Sequence, residues 1–320
     1  MTNIRDIAKM AGVSVTTVSR VINNQPYVTQ EKKEAVLNAI KISNYQKNIN
    51  AVHLRTGKTF LMGVVLPFSN HPYFSLLIKG ISDEALKHNY KLILFQTNYQ
   101  ESKEIEAFNM LKHKLIDAVI ICSRSCDWSI IADYINYGPI VLCEDGRGKK
   151  VASTFVDHYK SFSTALEYLY EKGHTRVGYC IGRRSGTNSE RRELAYKDFL
   201  KKINEPFRSH YIFDDCLNFE DGEQVVKSIK HMNNPPSALL VTSDQVAAGI
   251  VTCCQNENIS IPDELSLIGF DNEPIAKFMN ITTIDIPLVE IGRKLFLQTF
   301  DDKKTLHEEI MVQLIERKTV

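Results

Sequence analysis

The chain has 320 residues, 43% apolar and 24% charged, too long for one compact core and ordinary for two or three globular domains. No apolar run reaches the ~18 residues of a membrane span, and the start MTNIRDIAKMAG carries charges where an export signal needs an apolar stretch, so a cytoplasmic location without membrane attachment is expected. The net charge of +1 hides an asymmetry: residues 1–58 hold nine Lys/Arg against three acids, net +6, which leaves −5 on the remainder. A basic end on an acidic body suits a module that meets phosphates, although charge alone fits a solvated surface equally well.

The first elements are helices. Asn3 is placed to cap a helix, with Asp6 completing a capping box, and Ile4, Ile7, Ala8 and Ala11 form one apolar face. Gly12 ends it. Ser14 caps a second helix, VTTVSRVIN, with Val18 and Ile22 inward and Val21 near the edge. Pro26 breaks the chain, and Thr29 caps a third helix to about Ser43, with Ala35, Val36, Ala39 and Ile40 inward.

From Phe60 the rhythm changes. Apolar runs (LMGVVLP, KLILFQT, DAVIICS, PIVLCE) alternate with amphipathic stretches at 73–89, 101–113 and 128–136. After Asp157 the pattern resumes: helices at 158–172, 189–204, 219–232 and 244–257 separated by RVGYCIG, YIFDDC and SALLVTS, then ELSLIGFD. Val/Ile/Leu-rich strands alternating with helices indicate parallel sheets covered on both faces, and the strands suffice for two doubly wound units. The seven cysteines contain no C-x-x-C pair, and several lie inside apolar runs, so reduced thiols are expected, with no structural zinc, no metal and no cofactor.

Helix, glycine turn and helix within 22 residues is helix-turn-helix spacing. The outward face of the second helix offers Val15, Thr16, Ser19, Arg20 and Asn23. Arginine can pair with guanine, hydroxyls with base edges or phosphates, and valine with a thymine methyl. An ordinary helical hairpin remains the alternative.

The run from Ile4 to Tyr45, with Asp6, Ala8, Ala11, Gly12, Val13, Ser14, Thr17, Val18, Ser19, Arg20, Val21, Asn23 and Val28, closely resembles the N-terminus of the LacI/GalR family of bacterial regulators, and the resemblance continues through NINAVHLRTGKT into the core. It implies DNA contacts from Thr2, Val15, Thr16, Thr17, Ser19, Arg20, Asn23, Leu54 and Arg55. Leu54 looks like a wedge pushed between base steps of the minor groove, with a buried hinge leucine as the alternative. Lys47 stands where the family often has proline, and Val52-His53 where it has Arg-Ser, which puts one hinge phosphate contact in doubt.

The resemblance also implies a core like a periplasmic sugar-binding protein of type I, two α/β lobes crossed by three strands with a ligand between them. The implied division is 1–47 for the helix-turn-helix, 48–58 for a hinge helix, and 59–320 for the core, with one lobe at about 60–157 plus 287–303 and the other at about 158–286 plus 304–320. LPFSNHPYF resembles P-x-x-x-N-P-F-F and offers Asn70, Tyr73 and Phe74; SERRELAYKDF resembles the segment that carries the family's ligand-contacting arginine, here Arg192. SDQVAAG resembles N-D-x-M-A-x-G and offers Asp244, and LIGFDN resembles V-G-F-D-D and offers Asp271. Glu144 and Asp157 complete the expected effector set. Phe74 could equally pack a lobe, Arg192 form a surface ion pair, and Asp157 and Asp271 cap helices. Ser243, Gln245 and the inserted His71 depart from the family pattern.

The implied protein is a repressor, a homodimer or tetramer on a palindromic operator, acting at the bacterial nucleoid. A carbohydrate-like effector and, as in some relatives, a corepressor protein are its implied partners. The rivals are an enzyme on the same core, against which stands the absence of G-x-S-x-G, G-x-x-x-x-G-K-[ST] and H-E-x-x-H, and a solute-binding protein, against which stand the N-terminal helices.

Overall fold

The computed structural model describes residues 2–45, 57–301 and 306–320. The chain divides into two compact units, Met1–Lys58 and Thr59–Val320. Most of the expected hinge helix, including Leu54 and Arg55, lies outside the described residues.

The first unit is three helices, α1 (Ile4–Met10), α2 (Val15–Ile22) and α3 (Gln30–Ser43). The capping box of α1 is formed: Asn3 Oδ1 accepts from the Asp6 amide at 3.2 Å, and Asp6 Oδ2 accepts from the Asn3 amide at 2.9 Å. Gly12 turns the chain at φ +64. Ser14 Oγ then accepts from the Thr17 amide, starting α2. Thr29 takes the cap position of α3 but makes no side-chain cap bond. Asn44, left-handed at φ 47, closes α3, and the Tyr45 amide reaches back to Ile40 O at 3.1 Å. Ile7, Ala8, Val18, Val21, Val36 and Ala39 form the core. Val21 is inside and Ile22 half-buried, the reverse of the expected order, where α2 packs against both α1 and α3.

The second unit holds two six-stranded sheets. In the first, β1 (Leu61–Leu66), β2 (Lys91–Gln96), β3 (Ala118–Ile121), β4 (Ile140–Leu142) and β5 (Ala152–Val156) run in the order 2-1-3-4-5, with β11 (His307–Ile310) beyond β5. In the second, β6 (Val177–Cys180), β7 (Ile212–Phe213), β8 (Ala238–Val241), β9 (Ser266–Phe270) and β10 (Thr283–Asp285) repeat that order, with β12 (Gln313–Ile315) beyond β10. All pairings are parallel except β10 with β12. The apolar runs of the inner strands are buried on both faces, as in Val64, Val65, Ile120, Leu240 and Ile268, whereas β2, expected to be covered likewise, lies at the sheet edge with Leu94 46% exposed.

The helices used below are α4 (Pro72–Lys87), α5 (Glu101–Lys112), α6 (Trp128–Ala132), α7 (His158–Glu171), α8 (Thr187–Lys202), α9 (Phe219–Lys230), α10 (Asp244–Asn256), α11 (Pro274–Phe278) and α12 (Leu288–Gln298). Helices α4 and α12 cross through Gly80 and Gly292: a Cβ at Gly80 would stand 2.0 Å from Val289 O, and one at Gly292 2.2 Å from Leu77 O. Two backbones can approach this closely only without side chains there.

The chain passes between lobes three times, after β5, after β10 and between β11 and β12. The expected assignment of 304–320 to the second lobe is therefore corrected. His307–Ile310 pairs with Ser153–Val156 and belongs to the first lobe, and only the segment from Gln313 joins the second.

Candidate functional site

In the first unit, the start of α2 carries the candidate reading face. Val15 is 41% exposed, and Thr16 and Arg20 are exposed beside it. The other described candidates, Thr2, Thr17, Ser19 and Asn23, are half-buried. Thr17 is half-buried with Oγ1 2.9 Å from Ser14 Oγ, and Asn23 Nδ2 donates to Ser19 O at 2.8 Å. Thr2 is half-buried ahead of α1. A small core and local caps thus hold three projecting side chains on a stiff helix.

In the second unit, both sheets change winding direction at a switch point, β1/β3 in one and β6/β8 in the other. Ligand crevices form beyond the carboxyl ends of strands at such points. A cleft of about 900 Å3, its open mouth included, lies there between the lobes. The segments after β1, β3, β6 and β8 line it, contributing Phe74, Arg124, Arg183 and Ser243 among others.

At the inner end, Arg192 Nη2 lies 3.2 Å from His158 Nδ1. Burial first, then the Arg192 charge, holds His158 well below the usual imidazole range, so its Nδ1 accepts. Burial also lowers the Arg192 pKa, opposed mainly by Asp271, and Arg192 Nε is buried without a hydrogen-bond partner. Asp271 lies at the end of β9, 5% exposed, in the left-handed region at φ 97, a strained position for a side-chain-bearing residue. Burial, reinforced by Glu273 and Asp244, pushes its carboxyl well above the ordinary range.

Rings and thiols complete the first-lobe wall. Tyr73 and Phe74 meet edge-to-face with centroids 5.1 Å apart, and His71 meets Phe74 at 5.7 Å. Burial lowers the His71 pKa, and its Nδ1 is buried and unpartnered. The Cys143 thiol beside Tyr73 is pushed up to about 12 by burial, so it stays protonated and unreactive near neutral pH.

At the mouth, two arginines tie the lobes together. Arg124 pairs with Glu144, and its Nη2 donates across the cleft to Thr187 Oγ1 at 3.0 Å. Arg183 donates back to Arg124 O at 3.0 Å and lies over the Tyr99 ring, 3.8 Å from its centroid. The whole is a set of donors, acceptors and ring faces suited to holding a polar ligand.

Of the expected effector residues, Tyr73, Phe74, Glu144, Arg192 and Asp271 line the cleft. Three expectations are corrected. Asn70 is exposed in the loop ahead of α4 and outside the lining. Asp157 caps α7, its Oδ1 accepting from the amides of Tyr159 at 3.0 Å and Lys160 at 3.2 Å. Asp244 is fully buried behind the lining, accepting from Thr283 Oγ1 and the Glu273 amide, each at 2.8 Å. Strand-end position put Tyr99, Arg124, Arg183 and His158 within reach of sequence reasoning, but no motif marked them.

Residues 3–48 match the family described as bacterial regulatory proteins, lacI family, and residues 59–318 match the periplasmic binding proteins and sugar binding domain of the LacI family. The chain is 40% identical to the HTH-type transcriptional regulator YkvZ of Bacillus subtilis strain 168, covering all of this chain and 97% of that one. It is 29% identical to the HTH-type transcriptional repressor PurR of Mannheimia succiniciproducens, covering all of this chain and 99% of that one. The fold is that of a solved LacI family regulator from Lactobacillus casei with bound glucose (22% identity, TM-score 0.73, 81% of this chain and 99% of that one). Among the described residues no helix is long and apolar enough to cross a membrane. A reading helix, a doubly wound core and matches spanning both units agree: the chain belongs to the LacI family of bacterial transcription regulators.

Proposed function

We propose that the protein is a repressor that binds a palindromic operator as a homodimer, and that a sugar-like effector in the cleft sets its affinity for that operator. One observation carries the reading: a helix with Val15, Thr16 and Arg20 projecting, in the same chain as a polar cleft at paired switch points. Arg20 suits bidentate pairing with guanine, Thr16 a base edge or phosphate, and Val15 a thymine methyl. A two-fold protein calls for a two-fold site, with Leu54 and Arg55 at the minor groove between the halves. The regulator named a repressor among the relatives supports repression, and the sugar-binding description of residues 59–318 supports a carbohydrate effector.

The cleft would act by differential affinity. An effector preferring one arrangement of the lobes shifts the population toward it, and operator DNA must alter effector affinity by the same factor. The test is selection of genomic fragments by the purified full chain, followed by anisotropy titration of the selected site with and without candidate sugars. The expected outcome is an inverted repeat whose affinity changes on ligand addition. Selection of unrelated fragments, or an affinity no sugar alters, contradicts the proposal.

A further inference from the structure

The cleft carries more positive charge than its own carboxylates offset. Arg124, Arg183 and Arg192 line it against Glu144 and Asp271. Glu144 is engaged by Arg124, and among the described residues neither Arg183 nor Arg192 forms a close ion pair. Burial favours the neutral form of Asp271, which leaves the excess larger.

The excess is placed where an anion is held well. Gly186, at φ 101, precedes the 16-residue helix α8 and supplies no side-chain cap. A Cβ there would stand 2.9 Å from Arg183 Nη2, so the guanidinium rests directly over the helix start. Thr187 and Asn188, in the first turn, also line the cleft. Unsatisfied amides and the helix dipole favour negative charge at such a start, and the guanidinium adds a full charge. Two independent features show polar atoms left for an occupant. Ser243, 3% exposed, faces the same cleft with Oγ unpartnered, and Arg192 Nε is buried with no partner.

Building on the reading of this cleft as a ligand site, we propose that it takes a polyhydroxylated ligand bearing an anionic substituent, a sugar phosphate or a sugar acid. The anion lies on Arg183 and the first turn of α8, and hydroxyls meet Ser243, Arg192 and Asp271. A neutral sugar would leave the Arg183 charge without a counter-charge in a partly enclosed site.

Calorimetric titration of the full chain with matched sets tests this: glucose, glucose 6-phosphate and glucuronate; galactose, galactose 6-phosphate and galacturonate; and inorganic phosphate alone. An anionic member should bind roughly ten-fold or more tightly than its neutral parent, and the phosphate and carboxylate arms identify which anion is taken. The preference should collapse in Arg183→Met and partly return in Arg183→Lys. Should Arg183→Met fold poorly, added salt provides the second measure, since it should weaken the anionic ligand and spare the neutral one. Equal or tighter binding of the neutral parent, or a preference that survives Arg183→Met, overturns the proposal. Neutral sugars that bind and lose affinity in Ser243→Ala would sink the anion assignment and leave the cleft reading standing; no binding by any compound would sink both.

Discussion

The two lobes share one strand order and differ in what they bring to the cleft. The first lobe presents mainly rings and thiols, Tyr73, Phe74, Tyr99 and Cys143, with one arginine already paired to Glu144. The second presents Arg183, Arg192, Asp271 and Ser243, charged or polar groups with little internal compensation. Topology therefore fixes where a ligand can lie, because both switch points open on the same gap, while the loops after the strands decide its chemistry. The asymmetry suits a ligand with an apolar ring face on one side and polar substituents on the other.

The second lobe's polar character extends behind the lining, and its removal should give the largest effect. Asp244→Ala orphans the Thr283 hydroxyl and the Glu273 amide and should cost roughly 3 kcal/mol in urea unfolding; a loss below about 1 kcal/mol would show that these groups find other partners. In the first lobe the counterpart is apolar packing. Gly292→Ala must push α12 off α4 and should cost about 2 kcal/mol, whereas an unchanged midpoint would mean that the crossing has slack.

Proton linkage sharpens the contrast further. Burial raises Asp244 to about 8 and Glu273 to about 7. The folded state therefore keeps protons that the unfolded chain releases near pH ~4, so this contribution to stability is full below that range and is lost as pH rises through 7–8. The melting temperature should fall between pH 6.5 and 8.5. Asp244→Asn, which mimics the protonated form, should flatten the slope; an equal slope in the variant would place the linkage elsewhere. The smallest effect should come from the lobe-spanning contact at the mouth. Thr187→Val removes the acceptor of Arg124 Nη2 and should change stability by roughly 0.5–1.5 kcal/mol or less. A larger loss would make the two lobes one cooperative unit rather than two similar ones.

What could be read from sequence follows the range of the interactions involved. The caps at Asn3 and Ser14 were legible because a cap is satisfied within three residues. The inner strands are legible because burial on both faces leaves unbroken Val/Ile/Leu runs, as in Ala118–Ile121 and Ala238–Val241. The sheet that His307–Ile310 joins is not legible, because HEEI is polar, half-buried and at a sheet edge, and nothing local says which sheet it pairs with. The places of Asp157 and Asp244 are not legible in sequence, because a carboxylate at a strand end can cap, line or lie behind a site, and only the surrounding donors decide. Arg124 and Arg183 carry only their strand-end position as a local signal, and no motif: their role arises from contacts across 63 and 59 positions of sequence. In the first unit the exposed face of α2 is legible from its periodicity, while the burial order of Val21 and Ile22 depends on packing that periodicity fixes only approximately.

The central claim is that the cleft governs the DNA-reading helix. Its most direct test is the affinity of the full chain for a selected operator, measured with and without the ligand found by calorimetry, in the wild type and in Arg192→Ala. The account predicts a ligand-dependent change of roughly ten-fold in the wild type, and in Arg192→Ala unaltered operator affinity with no response. An Arg192→Ala protein that responds at the same ligand concentration, or a wild type whose operator affinity ignores the ligand, would contradict it.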